Sequence, residues 1–192
     1  MKSVLISIQP QWCELIASGK KTVEVRKTIP KIDTPFKCYI YQTRKTWVYS
    51  IYQRIADAQG KVIGEFVCDE IYQYTSKFGR PIWQEEDMTI SDEDMETQSC
   101  MTQEELFHYE NFPDSYKWGL LGWHISDLVI YDEPKELSEF YTDYCPYLHN
   151  QTCCNNELCA YQEYNEHGDI KPCVKEVKRP PQSWCYIEGN VI

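Results

Sequence analysis

Residues 19–27 read Gly19-Lys20-Lys21-Thr22-Val23-Glu24-Val25-Arg26-Lys27. Because side chains alternate along a strand, Val23 and Val25 are predicted to face the core. Glu24 and Arg26 then lie on the opposite face, at a surface or a cleft. Lys21 has the other parity, but its long stem is expected to bring the ammonium group to Glu24. A strand does not need such a polar cluster in order to fold, so the cluster is a candidate functional site.

A strand, a helix and a glycine are predicted directly upstream of this stretch. Residues 4–8 form an apolar run that is typical of a strand. Residues 10–18 carry apolar side chains at the i, i+3 and i+4 spacing of a helical stripe. Gly19 follows at the place where a left-handed residue ends many helices. The expected order is therefore strand, helix, glycine stop and charged strand.

The spacing Gly-x-Lys-x-x-Glu-x-Arg is filled by Gly19, Lys21, Glu24 and Arg26. It resembles the signature of the ASCH (activating signal cointegrator homology) family, which belongs to the PUA-like group of small β-barrels. The upstream strand and helix, and residues 122–128, also resemble elements of that family. The resemblance covers about residues 1–132, with residues 183–188 as a returning strand. It implies an α+β fold in which a PUA-like small β-barrel carries flanking helices.

The chain is predicted to have three parts. Residues 1–135 are expected to form the ASCH/PUA-like barrel, residues 136–178 a cysteine-rich, zinc-binding insertion, and residues 179–192 a C-terminal strand that returns to the barrel. A length of 192 residues suits one domain with an appended subdomain. No apolar run approaches the ~18 residues of a membrane span, so we expect a soluble, cytoplasmic protein without a membrane partner.

Local patterns predict further elements: strands at residues 36–43 and 61–71, an exposed acidic loop at residues 85–96, a short helix from residue 102, and strand-rich sequence at residues 118–131. Gly64 interrupts the second of these strands and indicates a bulge or a bend. Thr102 is a predicted helix cap, because Glu105 follows it three residues later.

Charge is distributed unevenly along the chain, whose net charge is −11. Residues 1–61 contain 11 Lys and Arg against 4 Asp and Glu, whereas residues 62–170 contain 4 against 24. The net charge argues against a protein that coats nucleic acid with its whole surface, because neutralising phosphates requires lysine and arginine. The basic segment predicts one positive face for an anionic, phosphate-bearing ligand. The alternative is that charges which are separate along the sequence mix in space.

Five of the ten cysteines lie in one C-terminal stretch. Because disulfides are rare in a reducing compartment, clustered thiolates favour a metal, and four thiolates complete a structural zinc site. The preferred zinc ligands are Cys145, Cys154, Cys159 and Cys173. Cys153 is the alternative to Cys154, and His149 or His167 are substitute ligands. The competing interpretation is free cysteines that pack as small apolar side chains.

The first function that the sequence leaves open is recognition of RNA or of a modified nucleotide. In this hypothesis basic side chains contact phosphate, while an aromatic ring such as that of Trp12, Tyr39 or Tyr41 stacks on a base. The predicted ligand-binding residues are Lys20, Lys21, Glu24, Arg26 and Tyr41.

The second hypothesis is an enzyme. Some small ASCH proteins are similar to amidohydrolases that deacylate N4-acetylcytidine, and others are linked to RNA cleavage. The resemblance implies that Lys21 is the catalytic lysine, with Glu24 beside it. Those hydrolases are expected to carry a threonine at the position of Glu24, so this chain departs from them there.

The third hypothesis is a regulatory factor that engages a protein partner through the acidic surface of residues 62–170.

Overall fold

The computed structural model describes residues 2–44, 59–74, 90–110, 119–143, 166–168 and 174–188. The first elements are β1 (Lys2–Ile8), α1 (Pro10–Ala17), β2 (Val23–Arg26), β3 (Phe36–Gln42), β4 (Val62–Cys68) and β5 (Ile71–Tyr74). They are followed by α2 (Asp92–Ser99), α3 (Gln103–Glu110), β6 (Leu120–His124), β7 (Ser126–Lys135), a 3-10 turn (Leu137–Glu139), β8 (Tyr141–Asp143), β9 (Val174–Glu176) and β10 (Trp184–Glu188).

The strands form two sheets. The larger sheet has the order β7-β4-β3-β1-β10-β8-β9, and the smaller sheet has the order β2-β6-β5. β1 runs parallel to β3 and antiparallel to β10. The predicted α+β class is confirmed. A closed barrel is not, because neither sheet closes on itself within the residues that the structure describes. The division at residues 135 and 178 stays a prediction.

Two segments contribute to both sheets: the strand predicted at residues 61–71 and the stretch predicted as strand-rich at residues 118–131. Residues 61–71 leave the larger sheet after β4 and enter the smaller one at β5. In the same way, Ile125 separates β6 of the smaller sheet from β7 of the larger one. The predicted irregularity at Gly64 is confirmed by shifts in the register between β4 and β7. A Cβ atom on Gly64 would lie 2.3 Å from the carbonyl oxygen of Val129, so the close approach requires glycine.

The glycine stop of α1 is confirmed. Pro10 occupies the first turn, where its missing N–H leaves no hydrogen bond unmade. Gly19 has a φ of 72°, and its N–H donates to the carbonyl of Ile16. The N–H of Lys20 donates to the carbonyl of Leu15, which completes a Schellman motif. The chain therefore turns sharply at Gly19 and enters β2 with Lys21 next to the end of the helix.

The acidic loop predicted at residues 85–96 is wrong from residue 92, where α2 begins. The Ser91 hydroxyl caps this helix by accepting from the N–H of Asp94 at 3.1 Å. Acidic residues fill the first turn, where they complement the helix dipole.

The cap predicted for α3 is confirmed. The N–H of Thr102 donates to the Glu105 carboxylate at 2.9 Å, and the N–H of Glu105 donates to the Thr102 hydroxyl at 3.2 Å.

Apolar side chains pack in three clusters. The first joins α1, the smaller sheet and one face of the larger sheet, which we call the inner face. The second covers the opposite, outer face of the larger sheet. The third lies between the smaller sheet and helices α2 and α3. None of the helices in the described ranges has the length and apolarity needed to cross a membrane.

Candidate functional site

Strand β2 is covered on both of its faces. Val23 and Val25 pack in the cluster beneath α2 and α3, as the alternation predicts. The charged face is buried as well, since Glu24 and Arg26 are only 5% and 6% exposed and Lys21 is 2% exposed. The expectation is a surface or a cleft, and exposed fractions this low exclude an open surface. The charged face lies toward the interior between the two sheets, because the residue opposite Glu24 on β6 belongs to the inner-face cluster.

Lys21, Glu24 and Arg26 form one buried ionic cluster. The Arg26 Nη2 atom lies 2.9 Å from Glu24 Oε1, and the Lys21 Nζ atom lies 3.5 Å from Glu24 Oε2. Each carboxylate oxygen faces one of the two cations, and the longer contact, from Oε2 to Lys21, is an ion pair without a hydrogen bond. The motif spacing brings the three groups together because β2 and the turn before it present them to the same interior space. We call these three residues the charge cluster.

The Lys21 ammonium also contacts two neighbouring elements. It donates to the backbone carbonyl of Ser99 at 2.7 Å, at the C-terminal end of α2. A positive group is favourable at this end of a helix dipole. The ammonium lies 5.0 Å from the centre of the Trp12 ring on α1, which is a cation–π distance. Burial lowers the pKa of Lys21, and the neighbouring Glu24 carboxylate opposes this shift.

The Arg26 guanidinium connects β2 to the larger sheet. Its Nη2 atom donates to the backbone carbonyl of Ser7 at 2.7 Å, and its Nη1 atom lies 3.4 Å from the Ser183 hydroxyl. Tyr109 of α3 also contacts the guanidinium: partial burial raises the pKa of this phenol, and the charge of Arg26 and its hydrogen bond oppose the shift. Arg26 therefore joins β2, the end of β1, the approach to β10 and α3.

Several polar atoms at the charge cluster keep unused hydrogen-bonding capacity. Glu24 Oε2 and Arg26 Nε are buried and make no hydrogen bond within the described part of the chain. The same is true of Trp123 Nε1, and Trp123 lies directly opposite Glu24 in the ladder between β2 and β6. Buried polar groups in native proteins nearly always have partners, so each such atom requires an explanation.

A comparison with protein families covers this cluster. The family model of the ASCH domain matches residues 6–166, which include Lys21, Glu24 and Arg26. The chain belongs to the ASCH domain family. The resemblance noted from the motif spacing is thus confirmed, whereas the cysteine-rich extension is not part of what this match shows.

Solved structures of another ASCH protein share the fold. The crystal structure of ASCH from Zymomonas mobilis superposes with a TM-score of 0.53 at 18% sequence identity, covering 97% of this chain and 87% of that chain. Two single-substitution variants of the same protein give TM-scores of 0.50 at 17% identity, with coverage of 98% and 91% for one and 97% and 88% for the other. At this identity the likeness concerns the fold alone. No curated protein matches the chain.

The other residues predicted for the ASCH site are distributed differently. Lys20 is exposed beside the charge cluster, and Trp12 contacts it. Tyr41 does not join it. This tyrosine is 4% exposed and packs with Tyr39 in the cluster on the outer face of the larger sheet. Alternation along β3 separates these tyrosines from the inner face, where Cys38 packs.

The predicted zinc ligands lie outside the residues that the structure describes: Cys145, Cys154, Cys159 and Cys173, together with the alternatives Cys153 and His149. His167 is described and is exposed. The ranges given above contain no group of three or more His, Cys, Asp or Glu side chains able to hold a metal ion. The zinc site therefore stays a prediction.

Several contacts of the ASCH charge cluster had no signal in the sequence. Ser99 and Ser183 lie 78 and 157 residues from the side chains they contact. Ser99 and Ser7 contribute backbone carbonyls, which any residue type would supply. The position of Trp123 opposite Glu24 follows from the pairing of β2 with β6, which no local pattern specifies.

Proposed function

We propose that this ASCH protein recognises RNA or a modified nucleotide in a cleft built around Lys21, Glu24 and Arg26. The observation that carries the proposal is the buried charge cluster with its unused hydrogen-bonding atoms. Burying three charges does not serve stability well, because apolar side chains of similar size usually replace a buried ion pair at no cost or with a gain. ASCH domains are generally RNA-binding, which agrees with a nucleotide ligand.

The atoms of the charge cluster that make no hydrogen bond suit a nucleobase. Glu24 Oε2, beside its ion pair with Lys21, is able to accept a hydrogen bond from an amino or ring N–H group of a base, and Arg26 Nε is able to donate one to a base carbonyl. Trp12 is half-buried beside the Lys21 ammonium and offers a ring on which a base stacks. Lys20 and Lys27 are exposed at the two ends of the motif and supply positive charge for a phosphate.

A second candidate is an amidohydrolase or nuclease that acts on modified nucleosides or RNA. The lowered pKa of Lys21 favours it, because a lowered pKa increases the share of neutral amine that can accept a proton. The ion pair of Lys21 with Glu24 works against it, because the carboxylate favours the charged ammonium, which cannot accept a proton. Recognition is therefore the function that the geometry supports best.

Binding and turnover should be measured on the same ligand panel. We would titrate the protein with labelled short single-stranded RNA and with acylated and unmodified nucleosides, and follow hydrolysis by mass spectrometry. Trp12→Leu should weaken binding about tenfold, as the loss of one base-stacking contact does. Lys37→Ala is a matched control, because this lysine pairs with Glu65 at 2.7 Å on another part of the sheet.

The outcomes separate the candidates. Binding without turnover, weakened by Trp12→Leu and by Glu24→Gln but not by Lys37→Ala, supports recognition. Turnover that Lys21→Ala abolishes in a folded variant supports the hydrolase. If neither binding nor turnover occurs with any ligand, the proposal is overturned and a protein partner for the acidic surface becomes the better explanation.

A further inference from the structure

A groove lies on the outer face of the larger sheet, away from the charge cluster. Its volume is about 620 Å³. It lies between the end of β3, the turn before β4, the 3-10 turn and the segment that follows β9. The residues that matter for its chemistry are Tyr41, Arg44, Glu136, Ser138 and Lys178. It contains none of the three residues of the charge cluster.

The groove presents positive charge. Arg44 and Lys178 line it and are exposed. Glu136 is the carboxylate among the described lining residues, and its Oε1 atom lies 2.7 Å from the Lys61 ammonium. Among the described ion pairs, neither Arg44 nor Lys178 is paired with a carboxylate. Two cations at one groove of a protein with a net charge of −11 are a local exception to its overall charge.

The turn at Gly60 leaves room for the Arg44 side chain. Gly60 has a φ of 84°, and a Cβ atom there would lie 2.5 Å from Arg44 Nε. A side chain at this position would displace the guanidinium, so the glycine allows Arg44 to lie against the turn. The turn itself is held to β3, because the N–H of Gly60 donates to the Gln42 carbonyl at 2.8 Å and the N–H of Gln42 donates to the Lys61 carbonyl at 2.9 Å.

The Tyr41 side chain also lines the groove. Tyr41 is 4% exposed, and no hydrogen bond of its hydroxyl is found among the described residues. Burial raises the pKa of Tyr41, while nearby Arg44 opposes this shift, so the phenol keeps its proton and remains a donor. The hydroxyl of Ser138 is a second neutral donor at the same groove.

We propose that this groove binds a phosphate group, with Arg44 as the bidentate donor, Lys178 as a second positive charge and the Tyr41 hydroxyl as an additional donor. Guanidinium geometry matches phosphate oxygens, and lysine adds a point charge. The phosphate belongs either to a free nucleotide or to the backbone of an RNA strand. The proposal is independent of the function assigned to the charge cluster, which lies between the two sheets.

The test is an NMR titration of the full chain, with inorganic phosphate, adenosine monophosphate and a short single-stranded RNA as separate probes. We expect the Arg44 Nε–H and Gly60 N–H signals to shift with at least one probe. Lys178→Ala and Arg44→Lys should each weaken that binding about tenfold, since each removes one charge-assisted contact. Gly60→Ala should weaken it as well, by displacing Arg44. Lys31→Ala is the control, because it removes an exposed charge elsewhere.

Saturation by inorganic phosphate or the monophosphate assigns the groove to a free nucleotide, and shifts with RNA alone assign it to a backbone phosphate. The proposal is overturned if no probe shifts these two signals, or if Lys31→Ala weakens binding as much as Lys178→Ala does. Failure of this proposal is distinguishable from failure of the proposed function, because Trp12→Leu affects only ligand binding at the charge cluster. Trp12 contacts that cluster and does not line the groove.

Discussion

Replacing Glu24 with leucine removes the carboxylate that lies between two buried cations. At an effective dielectric constant of about 20, the 2.9 Å separation from Arg26 corresponds to about 6 kcal/mol of Coulombic attraction, and the 3.5 Å separation from Lys21 to about 5 kcal/mol. Much of this attraction offsets the cost of removing the charges from water. Breaking a buried pair from one side typically costs about 3–5 kcal/mol, and we expect Glu24→Leu to lie in that range.

The assay is urea unfolding monitored by tryptophan fluorescence. The free energies of unfolding of the wild type and the variant are compared, with the same slope m against urea concentration for both. For a chain of this length the expected loss corresponds to a decrease in Tm of about 6–20 °C. The triple variant Lys21→Met, Glu24→Leu, Arg26→Met should recover most of the lost stability, because it leaves no buried charge without a partner. It should nevertheless fail to bind the nucleotide ligand that we propose.

A loss below about 0.5 kcal/mol for Glu24→Leu, the range of ordinary surface substitutions, would refute this reasoning. It would mean that water reaches the cluster in solution and stabilises both cations. A triple variant less stable than Glu24→Leu alone would refute the second part, because the charges would then contribute to the fold itself.

Three further predictions concern other parts of the chain. Because burial lowers the pKa of Lys21 in the folded state, the unfolded chain binds more protons between that lowered pKa and about 10.4, so the free energy of unfolding rises with pH across this window. Lys21→Met should lack this rise when alkaline urea titrations of the two proteins are compared, and parallel curves would contradict it. Gly64→Ala should destabilise the protein by about 1–3 kcal/mol, because the new Cβ would meet a backbone carbonyl. Gly122→Ala is the control and should cost less, because its Cβ would meet the Val23 side chain. Equal losses in thermal unfolding would count against this prediction. Purified protein should contain about one zinc ion per chain by metal analysis and lose it in Cys154→Ser, whereas zinc-free protein with titratable thiols would exclude the site.

Features set by neighbouring residues were predictable from the sequence. The stop at Gly19, the cap of α3 at Thr102 and the irregularity at Gly64 each depend on a few adjacent positions, and the structure contains all three. The alternation along β2 also placed Val23 and Val25 in the core. The motif spacing brought Lys21, Glu24 and Arg26 together because one strand and its preceding turn carry them all.

Features set by distant segments were not predictable. The charged face of β2 is buried because the larger sheet packs over it, and that arrangement depends on the order of strands. The acidic composition around residues 92–96 suggested a loop, since α2 buries only Met95 and Ser99 and shows no apolar stripe. Tyr41 was expected beside Lys21, but parity along β3 cannot say which face of the sheet meets which partner.

The hydrogen bonds around Ser7 have a consequence for how the protein is made. Arg26 contacts the Ser7 carbonyl and the Ser183 hydroxyl, and the N–H of Ser7 donates to the Ser183 carbonyl at 2.9 Å. β1 pairs with β10, and the ribosome synthesises β10 after all the other described elements. The N-terminal motif therefore leaves the ribosome long before its surroundings exist, and contacts of such large sequence separation form slowly. A nascent chain that stops before residue 183 carries the whole motif but lacks the Ser183 contact of Arg26 and the pairing of β1 with β10.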